Sequence, residues 1–157
     1  MNTATVSISE ATAADLPSVL QLYAENEERA HDVLDISEAR TIWDRFSMYP
    51  DYKLYIARLG ETVVGTFALL IMDNLAHGGA KSGVVEDVIV ASKSQRRGIG
   101  KQMMRFALDR CRDAGCYKLA LSSNVKRASA HAFYESIGFT RHGYSFVIDV
   151  SQATQPQ

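Results

Sequence analysis

The chain has 157 residues, 46% of them hydrophobic, and a formal charge of -1 at neutral pH. That is enough for one packed domain and too apolar for a disordered chain. The charge balance offers no bulk attraction to nucleic acid or an anionic membrane, so any anion site must come from a local basic cluster.

No apolar run reaches the ~18 residues that a bilayer crossing needs. The opening Met1-Asn2-Thr3-Ala4-Thr5 lacks the basic and apolar regions of a signal peptide, which leads us to expect a cytoplasmic protein. Cys111 and Cys116 are five positions apart. This fits neither a C-x-x-C motif nor a four-ligand zinc spacing, and the pair reads as small buried hydrophobes.

In chain order, Val6 to Ser9 alternates as a short first strand. Ala11 to Asn26 places Leu16, Val19, Leu20 and Tyr23 at helical spacing, with Pro17 in the first turn. A second helix is expected over Ser37 to Phe46. The polar, acidic segment Glu25 to Asp32 between them reads either as a solvated loop or as part of a substrate lip. Lys53–Leu59 and Thr62–Met72 pair as a hairpin around Gly60-Glu61. The glycine-rich stretch Asp73 to Gly83 is a loop or the frayed start of the next strand. Val84 to Val90 is a central strand interrupted by two adjacent carboxylates, Glu86 and Asp87.

Ile99, Met103, Phe106, Ala107 and Cys111 repeat as one buried stripe over a helix from Gly98 to Ala114, ended by Gly115. Tyr117–Ser122 reads as a strand, Ala128–Ile137 as a helix ended by Gly138, and Tyr144–Val150 as a last strand. Residues 151–157 form a frayed tail, leaving residues 1–150 as a single domain. The order implies an α/β fold with helices on both faces of a mixed sheet.

The strongest chemical signal is Gln95-Arg96-Arg97-Gly98-Ile99-Gly100-Lys101, between a Val-rich strand and a helix. Unpaired amides and the dipole of a helix start bind phosphate oxygens, and glycine lets a diphosphate approach closely. Lys93, Arg96, Arg97, Lys101 and Arg105 add positive charge with no acid among them. Gln102 follows Lys101 where a Walker A loop needs Ser or Thr, and Met103 stands where a Rossmann fingerprint needs a third glycine, so both alternatives fail.

Gln-x-x-Gly-x-Gly after such a strand resembles the acetyl-CoA motif of the GCN5-related N-acetyltransferase (GNAT) superfamily. Ala130-His131-Ala132-Phe133-Tyr134-Glu135-Ser136-Ile137-Gly138-Phe139 resembles the C-terminal A-x-x-F-Y-x-x-x-G-F pattern of the same superfamily. Within it, Val85 to Val90 and Gly115 to Leu119 are similar to segments of glucosamine-6-phosphate N-acetyltransferases. Ser123 to Arg127 followed by Ala130-His131 is similar to aminoalkylphosphonate N-acetyltransferases.

The resemblance implies a mostly antiparallel central sheet, acetyl-CoA as cosubstrate without a metal, and transfer of its acetyl group to a primary amine of a small polar molecule. Val88, Ile89 and Val90 would pair with the pantetheine arm. Arg96, Arg97, Gly98, Ile99, Gly100 and Lys101 would cradle the diphosphate, and an amide near Val88 would polarise the thioester carbonyl. A homodimer is implied as well.

Proton transfer needs a base and an acid. Glu86 is the candidate base, directly or through water, because a glutamate ordinarily titrates near ~4.3 and needs burial or a relay to deprotonate an ammonium. In a regular strand Asp87 points to the opposite face, but a bulge would change that, leaving it as an alternative base or substrate contact. Tyr134, either a core aromatic or the acid that protonates the departing thiolate, is assigned the second role by its motif.

Arg127 occupies the position where many members of the superfamily carry a pantetheine-contacting asparagine, and Asn124, three residues earlier, is the candidate substitute. Lys126 and Arg127 suit either a phosphate or a solvated helix start. His131 reads as structural or as a substrate-side contact, and His31, His77 and His142 are too scattered for a metal site. Two other functions stay open: acetylation of a protein or peptide amine, and a non-catalytic acyl-CoA sensor.

Overall fold

The computed structural model describes residues 3–151. Met1, Asn2 and the expected tail beyond residue 151 lie outside the described residues. By contact density the chain divides after Leu121 into two units.

The first unit is a five-stranded sheet in the order β1-β2-β3-β4-β5, built from Ser7–Glu10, Tyr52–Leu59, Thr62–Met72, Lys81–Val90 and Cys116–Ala120. β1 to β4 pair antiparallel, and β5 joins β4 in parallel. Three helices belong to it: α1 (Leu16–Glu25), α2 (Ile36–Phe46) and α3 (Ile99–Asp113).

Strand alternation sorts the core into two layers. Leu54, Ile56 and Ala68 face α1, where Val19 packs against them and Tyr23, Trp43, Phe46 and Tyr52 complete the layer. On the other face Tyr55 stacks on Phe67 at 5.3 Å, and Phe106 of α3 meets Tyr55 edge-on at 5.1 Å. Ile99, Met103, Ala107 and Cys111 of the predicted stripe are buried as the spacing requires. α3 lies close on the sheet because two strand positions carry no side chain. A Cβ at Gly65 would stand 2.7 Å from Met103 Sδ, and one at Gly83 would collide with Cys111 Sγ.

Helix starts follow the chemistry of their caps. Asp35 caps α2 by accepting from the amides of Ser37 at 2.8 Å and Glu38 at 2.9 Å, and Glu38 reaches back to the Asp35 amide. Pro17 sits in the first turn of α1. Before it, buried Asp15 takes the Thr12 amide at 2.8 Å and the Arg58 guanidinium, so its charge is paired.

The second unit, residues 122–151, contains α4 (Ala128–Ser136). The strand expected at Tyr144–Val150 is absent there. Those residues are not in a strand, and Tyr144, Phe146, Val147 and Val150 are almost fully exposed. Alternation of β-prone residues records a preference for extended backbone, whereas a strand also needs a ladder partner, which this segment lacks among the described residues.

Candidate active site

β4 changes character halfway along. Its ladder to β5 covers only Lys81–Val84, after which Val85–Val90 are bonded on the β3 side alone. Within the first unit, Val88, Ile89 and Val90 therefore present a strand edge, the form of backbone that an extended ligand completes with main-chain hydrogen bonds.

A β-bulge accompanies the change. Thr66 pairs with Ile89 and Ala68 with Glu86, so Phe67 alone opposes Asp87 and Val88. Asp87 takes a left-handed φ of 53°, a conformation that aspartate tolerates better than most residues. Of the two placements open to Asp87 from the sequence, the strand takes the bulged one. The Asp87 carboxylate holds Arg29 Nη2 at 2.6 Å, just beyond α1. Burial and the nearby Asp87 charge push the Tyr23 phenol to about 12. Tyr52 is also raised, by burial and then by the charges of Asp87 and Glu86 together. Regular alternation would separate the two carboxylates, whereas with the bulge both act on Tyr52, and Asp87 acts on Tyr23 as well. Glu86 itself is exposed.

Strand β4 runs into the basic loop. Arg96 has φ 59°, and Gly98, which caps α3, has φ 76°. A left-handed residue followed by a helical one aims consecutive amides to one side, making an anion-binding concavity. The first amides of α3, from Ile99, Gly100 and Lys101, have no partner within the helix and add the positive end of its dipole. Arg96, Arg97 and Lys101 are exposed, and no ion pair engages them among the described residues. Gln102 serves as a staple. Its side chain donates to the Ala4 carbonyl at 2.6 Å and accepts from the Val6 amide at 3.2 Å. The Ala4 amide also bonds the Arg97 carbonyl at 3.2 Å, and sequence spacing gave no sign of this fastening of the loop to the start of the chain.

The remaining candidates belong to the second unit. Tyr134 lies in α4 between Phe133 at 5.1 Å and Phe139 at 5.7 Å. Burial raises its phenol above the ordinary value, with Arg127 opposing. Asn124 spends its side-chain carbonyl on the Lys126 amide at 2.9 Å, turning the chain into α4, and its backbone carbonyl meets His131 Nε2 at 2.8 Å. His131 thus has the structural role open to it from its sequence context. Ser123 Oγ is buried without a partner, a hydroxyl that no sequence signal singled out.

A pocket of about 210 Å³ opens beside Asp87 and is lined by residues of α1 and the α1–α2 connection. The acidic segment is therefore a pocket wall as well as a loop. No residue of the glycine-rich stretch Asp73 to Gly83 lines this pocket. His77 instead stacks on Tyr117 at 4.1 Å. Among the described residues no group of three or more metal-binding side chains is present. No helix among them is long and apolar enough to cross a membrane.

A strand edge free on one side leads directly into an amide-lined basic loop, an arrangement whose chemistry suits a long, anion-bearing ligand. The chain belongs to the acetyltransferase (GNAT) family, whose model matches residues 16–139. It is 33% identical over 88 residues to a glucosamine 6-phosphate N-acetyltransferase of Trypanosoma brucei brucei, across 56% of this chain and 58% of that protein. It is 27% identical to the aminoalkylphosphonate N-acetyltransferase of Salmonella typhimurium over 88% of each chain. A similarly named glucosamine 6-phosphate enzyme of Arabidopsis thaliana matches over 50% of its length, so the chain spans little more than half of such relatives. Among solved structures, a putative acetyltransferase from Agrobacterium tumefaciens superposes with a TM-score of 0.85 at 29% identity, over 91% of this chain and 99% of that one.

Proposed function

We propose that the protein is an N-acetyltransferase that moves the acetyl group of acetyl-CoA to a primary amine of a small polar molecule. The observation that carries this reading is the continuity of the one-sided edge Val88–Val90 with the amide cradle at Arg96–Lys101. A pantetheine arm offers amides spaced for a strand edge, and its diphosphate suits a helix start flanked by arginines. A bound acetyl-CoA supplies a thioester carbonyl for attack. Asn124 stays a further candidate for contact with the arm, as the family resemblance implies.

The chain's own residues then handle the protons. Glu86, exposed and therefore reached by water, accepts the proton of the incoming ammonium through a water relay. The amine nitrogen forms a bond to the acetyl carbon as the carbon–sulfur bond breaks, the leaving thiolate takes the Tyr134 phenolic proton, and the second proton, lost from nitrogen as the amide forms, returns through water to the Tyr134 phenolate. Burial keeps that phenol protonated at neutral pH, as an acid must be.

The pocket beside Asp87, about 210 Å³, has room for a small amine. Both cysteines are free, in keeping with a cytoplasmic protein, and the homodimer and the single domain expected from the sequence stay part of the proposal. A turnover assay over a panel of small primary amines tests it. Free thiol released in step with acetylated amine is expected. Tight acetyl-CoA binding with no turnover of small amines or of peptide amines would overturn it in favour of a sensor.

A further inference from the structure

The pocket beside β4 has a charge arrangement that the transfer chemistry does not use. Leu20, Val33 and Leu34 form its apolar walls, and Tyr23, Arg29, Asp32 and Asp87 its polar ones. Arg29 and Asp87 face each other across 2.6 Å, with side chains 48% and 36% exposed. An ion pair so open to solvent contributes little to stability, so its place in a pocket calls for another explanation. The bulge at Asp87 adds to this. A left-handed, non-glycine backbone inside a strand costs energy, and its effect here is to turn a carboxylate from the α3 face toward Arg29.

Resting on the reading above, we infer that this pocket selects amines that carry their own anion, with Arg29 taking a carboxylate or phosphorus oxyanion of the acceptor and Asp87 holding its ammonium. The Arg29–Asp87 pair is a template for such a zwitterion. Each protein charge exchanges its partner for the opposite charge of the ligand, so neither is left uncompensated when the site fills. The guanidinium offers two parallel donors to an oxyanion, a geometry that a lysine could not match. The ammonium, held at Asp87, lies next along the chain to Glu86. An amine without an anion separates Arg29 from Asp87 and offers the guanidinium no charge in exchange, so it makes one charge-assisted contact fewer than a zwitterion does. Asp32 and Tyr23 complete the polar side, the phenol serving as a neutral donor.

The test compares 3-aminopropanoate and 2-aminoethyl phosphate with 3-aminopropan-1-ol in the full-length protein and in Arg29→Met and Arg29→Lys. Wild type is expected to show kcat/KM at least tenfold higher for the anionic amines, about the effect of one charge-assisted hydrogen-bond pair. Arg29→Met raises KM for the anionic amines with kcat little changed and lowers KM for the alcohol, because Asp87 is then free to take a bare ammonium. Arg29→Lys restores part of the preference, and preference for the phosphate or the carboxylate tells which anion is meant. Equal use of all three amines by wild type, or an equal loss on all three in Arg29→Met, overturns the inference while leaving acetyl transfer standing. Should no amine turn over, calorimetry of 2-aminoethyl phosphate decides. Binding lost in Arg29→Met upholds the pocket assignment, and no binding to wild type overturns it.

Discussion

At Tyr134 the account rests on a phenol that stays protonated, held between Phe133 and Phe139. Tyr134→Phe keeps the ring and removes the proton. We expect kcat to fall by roughly 10²- to 10⁴-fold, the usual contribution of a positioned acid, with acetyl-CoA affinity nearly unchanged. Steady-state kinetics beside an isothermal titration with acetyl-CoA check this, and an unchanged kcat would remove Tyr134 from the chemistry. Tyr23 makes a different prediction. Its phenol titrates at about 12 in the folded protein against about 10 when unfolded. Below pH 10 both states hold the proton and the stabilisation is complete. Between 10 and 12 the unfolded chain releases it first, and stability falls as pH rises. Tyr23→Phe should therefore lose less stability across that window than wild type, as denaturant unfolding at a series of pH values would show.

Among the elements, α3 depends on glycines whose role no local rule announces. The buried stripe Ile99, Met103, Ala107 and Cys111 was legible from its spacing, because a helix repeats its faces by fixed geometry. Its closeness to the sheet was not, since that depends on what β4 lacks at Gly83. Gly83→Ala should cost about 1–3 kcal/mol through the clash with Cys111 Sγ. Pairing it with Cys111→Ala should recover part of that loss, a coupling that denaturation of the four proteins in a double-mutant cycle would measure. The bulge could be named from the sequence as an alternative but not decided there, for a related reason. Alternation assigns Glu86 and Asp87 to opposite faces, and one unpaired residue in the ladder, at the far side of Phe67, reverses the assignment. The last expected strand, Tyr144–Val150, failed because residue preference cannot supply a partner. The cap at Asp35-x-x-Glu38 was not drawn from the sequence, although its residue types fit a capping box, and Asp35→Ala should lower the midpoint of thermal unfolding.

For the whole molecule, a formal charge of -1 conceals a local basic field where β4 meets α3. That loop was the most legible part of the site, because anion binding by a helix start needs residue types that are rarely placed together for another reason. The acceptor side was the least legible, since Arg29 and Asp87 are distant in sequence and meet only through the fold. The central claim is that the β4 edge and the Arg96–Lys101 loop hold acetyl-CoA, and its direct test is the thermal midpoint of the protein with and without that ligand. At ~100-fold excess over the dissociation constant, binding stabilises by about 2.7 kcal/mol, a rise on the order of 5–10 °C for a chain of this size. The account predicts that rise, its decline with added salt, and its loss when Arg96 and Arg97 are both replaced by Glu. An unchanged midpoint at millimolar acetyl-CoA, or a rise that survives the double replacement, would contradict it.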